Sequence, residues 1–283
     1  MKRCIVVLAI LSMLAAPASA AFRGGNGPLV TAGAKRLWLY DPGGSRLHAL
    51  KTPGRSPDLA PDSEWIVFVQ GGDIAKVRVD GTRFKWLTND SAEQAAPTWS
   101  RGGHRVLYLE DSALYRMRAN GTNAKQLVDR SDLVDAAWSP DGAKIAYVSC
   151  ITRWTSCDVY VMNSDGSEAR AVNSTGDLIE LTVDWAPDAA RLVSQCGSGS
   201  GMWTVPGDIC VTDITGAMTS VVYEGSLRAR GPVWSPNGRK VAFAARPPGE
   251  KDLEVFTIRP DGTQLVRVTY NEHNDAEPDW GPR

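Results

Sequence analysis

Helical periodicity is missing from this 283-residue chain. Beyond the N-terminus, no window long enough for a helix repeats its apolar residues every three or four positions, which points away from α and α/β classes. Histidine is scarce. His48, His104 and His273 stand far apart with no H-E-x-x-H, so a histidine metal centre has little to build on. There is no G-x-S-x-G. Gly197-Ser198-Gly199-Ser200-Gly201 fits neither that spacing nor G-x-G-x-x-G, and reads as a loop tip. No catalytic residue, metal ligand or cofactor is assigned on this basis. An excess of charge is also lacking: 31 basic residues face 32 acidic ones. That balance favours neither nucleic acid nor an anionic membrane surface. No linker or low-complexity tract divides the chain, so one large domain is expected.

The one long apolar run lies at the start. Lys2 and Arg3 precede an apolar core from Ile5 to Ala16, and Ala18-Ser19-Ala20 follows as an A-x-A cleavage site. Residues 1–20 read as a secretory signal, too short to span a bilayer. After cleavage no membrane insertion is expected, and 29 basic residues would remain against 32 acidic, a net charge of −3.

What the chain has in abundance is a repeat. One landmark is an apolar residue opening a turn, as in Trp138-Ser139-Pro140-Asp141-Gly142. It recurs at Leu59, Trp99, Trp138, Trp185, Trp234 and Trp280, at intervals of 40, 39, 47, 49 and 46. A second landmark is a turn glycine at Gly81, Gly121, Gly166, Gly216 and Gly262. From each glycine to the next first landmark the distance is 18, 17, 19, 18 and 18 residues. From first landmark to glycine it is 22, 22, 28, 31 and 28, so the length variation lies between the two.

Each unit reads as four short strands. In the third, strand a is Val134 to Trp138, b is Lys144 to Ser149, c is Asp158 to Met162 and d is Glu168 to Val172. Val, Ile and Tyr alternate between Asp-Gly turns, which indicates hairpins. Four strands per 40–50 residues is the pattern of a β-propeller blade. The start offers strands at Pro28–Ala32, Arg36–Tyr40 and Arg46–Leu50 without a strand a. The end offers a lone strand a at Glu277–Trp280. Together they complete one blade, giving an all-β, six-bladed ring closed by its termini. The expected blades are 22–56 with 276–283, 57–90, 91–130, 131–180, 181–230 and 231–275.

The extra length of the later blades falls between strands b and c, at 150–157, 196–210 and 246–252, on one face of the ring. Four of the five cysteines sit there. Opposed hairpin ends suit disulfide geometry, and export makes oxidation favourable, so Cys150–Cys157 and Cys196–Cys210 are the expected pairs among three connectivities.

The W-S-P-D-G…D-G repeat resembles the TolB-like, WD-repeat-like propellers of bacterial exported proteins. WSPDGAKIAYVS, WSPNGRKVAFAA, RPDGTQLVRVT and DAEPDW carry the likeness, which spans Leu59 to Trp280. It implies a six-bladed fold and a stand-alone propeller, since only Phe22 to Ser56 precede the first full blade, without room for the family's α/β domain. It implies little about function, because such blades serve many roles.

Candidate binding residues come from position. Trp154 and Trp203 lie inside the cysteine-closed inserts, where an aromatic side chain can anchor a partner. Arg153 neighbours one of them, and Arg246 lies in the third insert. Residues entering strand a, namely Gln94, Asp132, Glu180, Arg228 and Asp275, are expected to ring the channel mouth and to suit a basic peptide or a cation. The landmark tryptophans are expected in the core between blades. These readings favour an exported, periplasmic or extracellular, non-catalytic monomer that binds a protein or peptide at the cell envelope. The competing class is a channel that binds a glycan or small ligand, or acts as a metal-dependent lyase or hydrolase.

Overall fold

A computed structural model describes residues 25–152, 156–172, 179–197, 207–225 and 227–283, with the side chains of 151, 152 and 179 left aside. The signal reading at 1–20 lies outside these residues. Strands β1 (Asn26–Ala32), β2 (Leu37–Tyr40) and β3 (Arg46–Ala49) open the chain and pair with the last strand, β24 (Ala276–Pro282). Blade 1 holds β4 (Arg55–Leu59), β5 (Trp65–Gln70), β6 (Asp73–Arg78) and β7 (Lys85–Trp86). Blade 2 holds β8 (Gln94–Trp99), β9 (Arg105–Glu110), β10 (Ala113–Arg118) and β11 (Lys125–Val128). Blade 3 holds β12 (Leu133–Trp138), β13 (Lys144–Thr152), β14 (Ser156–Asn163) and β15 (Arg170–Ala171). Blade 4 holds β16 (Ile179–Trp185), β17 (Arg191–Gly197), β18 (Asp208–Asp213) and β19 (Thr219–Tyr223). Blade 5 holds β20 (Arg230–Trp234), β21 (Val241–Ala245), β22 (Glu254–Ile258) and β23 (Val266–Arg267). Blade 6 is β24, β1, β2 and β3, so the two ends of the chain close the ring. Among the described residues all secondary structure is antiparallel sheet.

The innermost strands β4, β8, β12, β16, β20 and β24 touch one another in sequence around a central channel. Every one of them carries a register shift in its pairing. At Ser56, Ala96, Gly231 and Glu277 the bulge takes φ of 47°, 45°, 52° and 48°, and a proline follows each. Proline fits there because an innermost strand is the inner edge of its sheet, where a missing N–H breaks no ladder.

The landmark residues hold the blades to each other. Trp99 packs with Ala60, Val67 and Ile74 of blade 1, and Trp138 with Leu107, Leu109 and Leu114 of blade 2. Trp185, Trp234, Trp280 and Leu59 repeat this against blades 3, 4, 5 and 6. One apolar cluster therefore fills each junction, and burying a large side chain there is worth about 1.5–3 kcal/mol.

The turn glycines serve the same junctions. Gly121 has φ +88°, and a Cβ on it would sit 2.5 Å from the Leu87 carbonyl oxygen of the preceding blade. Gly166 and Gly262 meet Leu127 and Val222 in the same way. Glycine is thus required twice, for the left-handed backbone and for the close approach of the neighbour. The outermost strand of blade 3 is shorter than its apolar pattern predicts. Glu168 sits at φ +56° in the turn, so pairing begins only at Arg170.

Candidate functional site

Each innermost strand runs from the face of the b–c loops to the opposite face, which carries the a–b and c–d turns. Between them lies a channel of ≈ 300 Å³, bordered by Asp58, Asp135, Asp184, Glu277 and Asp279. A smaller cavity of ≈ 60 Å³ lies toward the turn face, among Asp58, Asp184, Asp279 and the landmark tryptophans.

The channel carboxylates are built into the junctions. Asp58 accepts the Trp99 N–H at 2.8 Å and the Thr98 hydroxyl at 3.0 Å from the next blade. Asp135 accepts the Val183 N–H at 2.9 Å, Asp184 the Trp234 N–H at 2.7 Å, and Asp279 the Leu59 N–H at 2.6 Å. Glu277 accepts the Ser56 N–H at 2.5 Å. Carboxylates thus clasp four of the six blade junctions. Burial pushes Asp135 up to about 7, only partly offset by the N–H groups of Val183 and Ala136. Burial likewise pushes Asp184 up to about 7, against the Trp234 N–H, with the charge of Asp279 adding to the rise. Asp58 is raised well above the usual carboxylate range by burial and then by the charge of Asp279. Asp279 is raised by burial.

No known motif marks these carboxylates, yet the sequence carries a signal for them. The residue just before the first landmark is Asp in Ser-Pro-Asp-Leu (56–59), Thr-Val-Asp-Trp (182–185) and Glu-Pro-Asp-Trp (277–280). Among the described residues no group of three or more His, Cys, Asp or Glu stands close enough to hold a metal ion.

The expected channel-mouth ring divides. Gln94, Glu180 and Asp275 are 0 %, 2 % and 0 % exposed, so they do not present charge at a mouth. Each is bonded within its own blade or its entering loop. Gln94 receives the Thr88 hydroxyl and donates to Asp90, and Glu180 receives the Ser194 hydroxyl. Asp275 receives the Thr31 and Tyr40 hydroxyls and the Asn271 amide. Asp132 is half-buried, paired with Arg130 at 2.6 Å and bonded by the Ser149 hydroxyl. Hydrogen bonding to Arg130 holds it below the usual carboxylate range. The physical reason is the bulge: one extra residue in the innermost strand shifts the alternation, so residues before it turn into the blade. Arg228 alone of the five is exposed.

Arg228 and Arg246, reached by separate arguments, are brought together. Both line a pocket of ≈ 320 Å³ at the b–c end of blade 5, formed by its b–c loop and the segment entering β20, with Arg230 as a third arginine. The same face carries the disulfides. Cys150 is joined to Cys157 and Cys196 to Cys210, with Cα atoms 4.0 and 5.8 Å apart. Arg153, Trp154 and Trp203 lie outside the described residues. A further pocket on this face, of ≈ 390 Å³, lies between blades 5 and 6, where the Trp38 ring stacks on His273 with centroids 4.6 Å apart.

The TolB beta propeller domain matches residues 45–283. The chain belongs to the TolB β-propeller family. An uncharacterized protein of Agrobacterium fabrum is 28 % identical over 214 residues, covering 74 % of this chain and 69 % of that one. The crystal structure of TolB from Acinetobacter baumannii superposes with a TM-score of 0.77 at 18 % identity, over 92 % of this chain and 67 % of that one. The structure of a putative TolB from Agrobacterium tumefaciens gives a TM-score of 0.68 at 15 % identity, over 87 % of this chain and 89 % of that one. At these identities the superpositions establish the propeller fold of the family member, and they leave its ligands to the site itself.

Proposed function

We propose that this TolB-family propeller is an exported, non-catalytic module that binds a protein or peptide at the cell envelope. It acts as a monomer through its b–c face. The observation that carries this reading is where the chain concentrates its irregular parts. Both disulfides and the three-arginine pocket share that face with the loops of varying length. The channel carboxylates, by contrast, accept N–H groups of neighbouring blades, which is an architectural task. Two disulfides also suit an oxidising compartment outside the cytoplasm. In this reading Trp154 and Trp203 are the aromatic anchors, with Arg153 beside the first.

The test is crosslinking capture from the native envelope, followed by mass spectrometry, with wild type and the Trp154→Ala/Trp203→Ala variant. A protein captured by wild type and lost from the variant supports the reading. Equal capture by both removes the two tryptophans from the site. No captured protein at all contradicts the module.

A further inference from the structure

We propose that the pocket at the b–c end of blade 5 is a carboxylate-recognition site, in which Arg228, Arg230 and Arg246 take one or two acidic side chains of a peptide segment. The proposal rests on the binding-module reading and names the chemistry of what that face takes.

The geometry begins with pairing. Arg230 of β20 stands opposite Ala244 of β21. Beyond the ends of both strands the Arg246 N–H reaches the Leu227 carbonyl at 3.3 Å, which sets Arg246 beside the 227–228 segment. Ala229, between the two arginines of one edge, is fully buried and donates its N–H to the Gly207 carbonyl at 3.0 Å. Gly207 is needed for that approach, since a Cβ there would sit 2.8 Å from the Arg228 Cα. The wall is therefore fixed, and Arg228 and Arg230 line the same pocket. Like charges gathered around one pocket repel, and an anion between them relieves that repulsion.

Blade 5 also departs from its neighbours at this position. Where strand a begins, Gln94, Asp132, Glu180 and Asp275 bond inside their own blades. In blade 5 the residue that, like Gln94 and Asp275, donates its N–H to the preceding blade is the small Ala229, and Arg228 just before it is exposed and lines a pocket with two other arginines. The only carboxylate bordering the pocket among the described residues is Glu250. It is already held by Arg267, whose two guanidinium nitrogens reach it at 2.6 and 2.8 Å. None of the three pocket arginines has an ion-pair partner within 4 Å among the described residues. The buried side chains of Pro247 and Leu253 form apolar parts of the lining.

Guanidinium groups match carboxylates through two parallel N–H···O bonds. The size of the positive region selects among carboxylate sources. Glu224, Glu250 and Asp252 surround it in sequence, and the chain as a whole is slightly acidic. An extended polyanion, such as a uronate polymer, would run from the arginines into repulsion. A short acidic stretch of a peptide would not.

The probe is fluorescein-labelled hexaglutamate, followed by anisotropy at low salt with the purified chain. Saturable binding is expected, weakened about tenfold or more by Arg230→Gln/Arg246→Gln and unchanged by Arg239→Gln on the opposite face. Binding should also weaken as salt is added. Circular dichroism of the exposed-arginine variant should match wild type. Absence of saturable binding, or equal affinity in wild type and the double variant, overturns the site. Trigalacturonate or inorganic phosphate displacing the probe at lower concentration than unlabelled hexaglutamate overturns the peptide assignment. A chain that still captures an envelope protein while failing to bind hexaglutamate keeps the binding module and loses this pocket.

Discussion

The two faces of the disc use charge in opposite ways. On the turn face, acidic groups are consumed locally. Asp62, Asp141 and Asp188 each accept the N–H two residues on in the a–b turns, and Asp80, Asp165, Asp213 and Asp261 do so in the c–d turns. On the b–c face, Arg228, Arg230 and Arg246 gather around a pocket with no described carboxylate left for them. One face repeats because each turn solves the same backbone problem. The other varies because its loops are free of that problem, and variation there leaves the ring intact. The channel carboxylates between the faces follow a third rule: their partners lie on the next blade.

The largest expected effect breaks the bracing of the b–c face. Cys196→Ser/Cys210→Ser opens a link of sequence separation 14. It should destabilise the fold by about 3 kcal/mol, and the separation-7 link Cys150–Cys157 should matter less. Denaturant unfolding of both double variants measures the order. A larger loss from the shorter link would show that the braces act through native contacts.

Next in size is the junction clasp. Asp184→Asn retains an oxygen to accept the Trp234 N–H, whereas Asp184→Ala leaves that N–H without its acceptor. Alanine should therefore fall below asparagine by about 1–3 kcal/mol at pH 8, measured by thermal midpoint. Equal midpoints would mean that water in the channel replaces the clasp.

The smallest effect is a slope with pH, and its sign separates the regions. Asp135 and Asp184 are raised to about 7 in the folded chain. Between the unfolded carboxylate value of about 4 and that point, the folded state binds more protons, so their contribution falls as pH rises through this window. Glu277 faces Asp135, and Asp279 and Asp135 face Asp184, which adds to the trend. Asp80, Asp165 and Asp261 have the opposite sign. The side-chain hydroxyl and the N–H two residues on hold them below the usual range. What they contribute is present above the unfolded value and lost as pH falls through the lower folded one. Asp135→Asn/Asp184→Asn should flatten the midpoint profile between about pH 4 and 7, while Asp261→Ala should change only its acid limb.

Legibility in the sequence follows the same division. Turn chemistry is local, so Asp141-Gly142 and Asp165-Gly166 announce themselves, and with them the blade count and the shared last blade. The landmark tryptophans are legible as packing between blades, because a repeated large apolar residue has to pack on something repeated. The channel clasps are hard to read locally, because the acceptor role of Asp184 depends on Trp234, 50 residues away. Gln94, Glu180 and Asp275 read as mouth residues in the sequence, because a position at the start of a strand does not reveal its side once a bulge shifts the alternation. Arg228 and Arg246 are each legible as loop arginines, but only the fold brings them to one pocket.

The most direct test of a binding face is site-specific photocrosslinking in the native envelope. One benzophenone side chain replaces the exposed Pro248 on the b–c face, and another replaces the exposed Arg239 on the turn face. The account predicts a discrete protein adduct from position 248 and none from 239. Adducts from 239 alone, or from neither position, would contradict it.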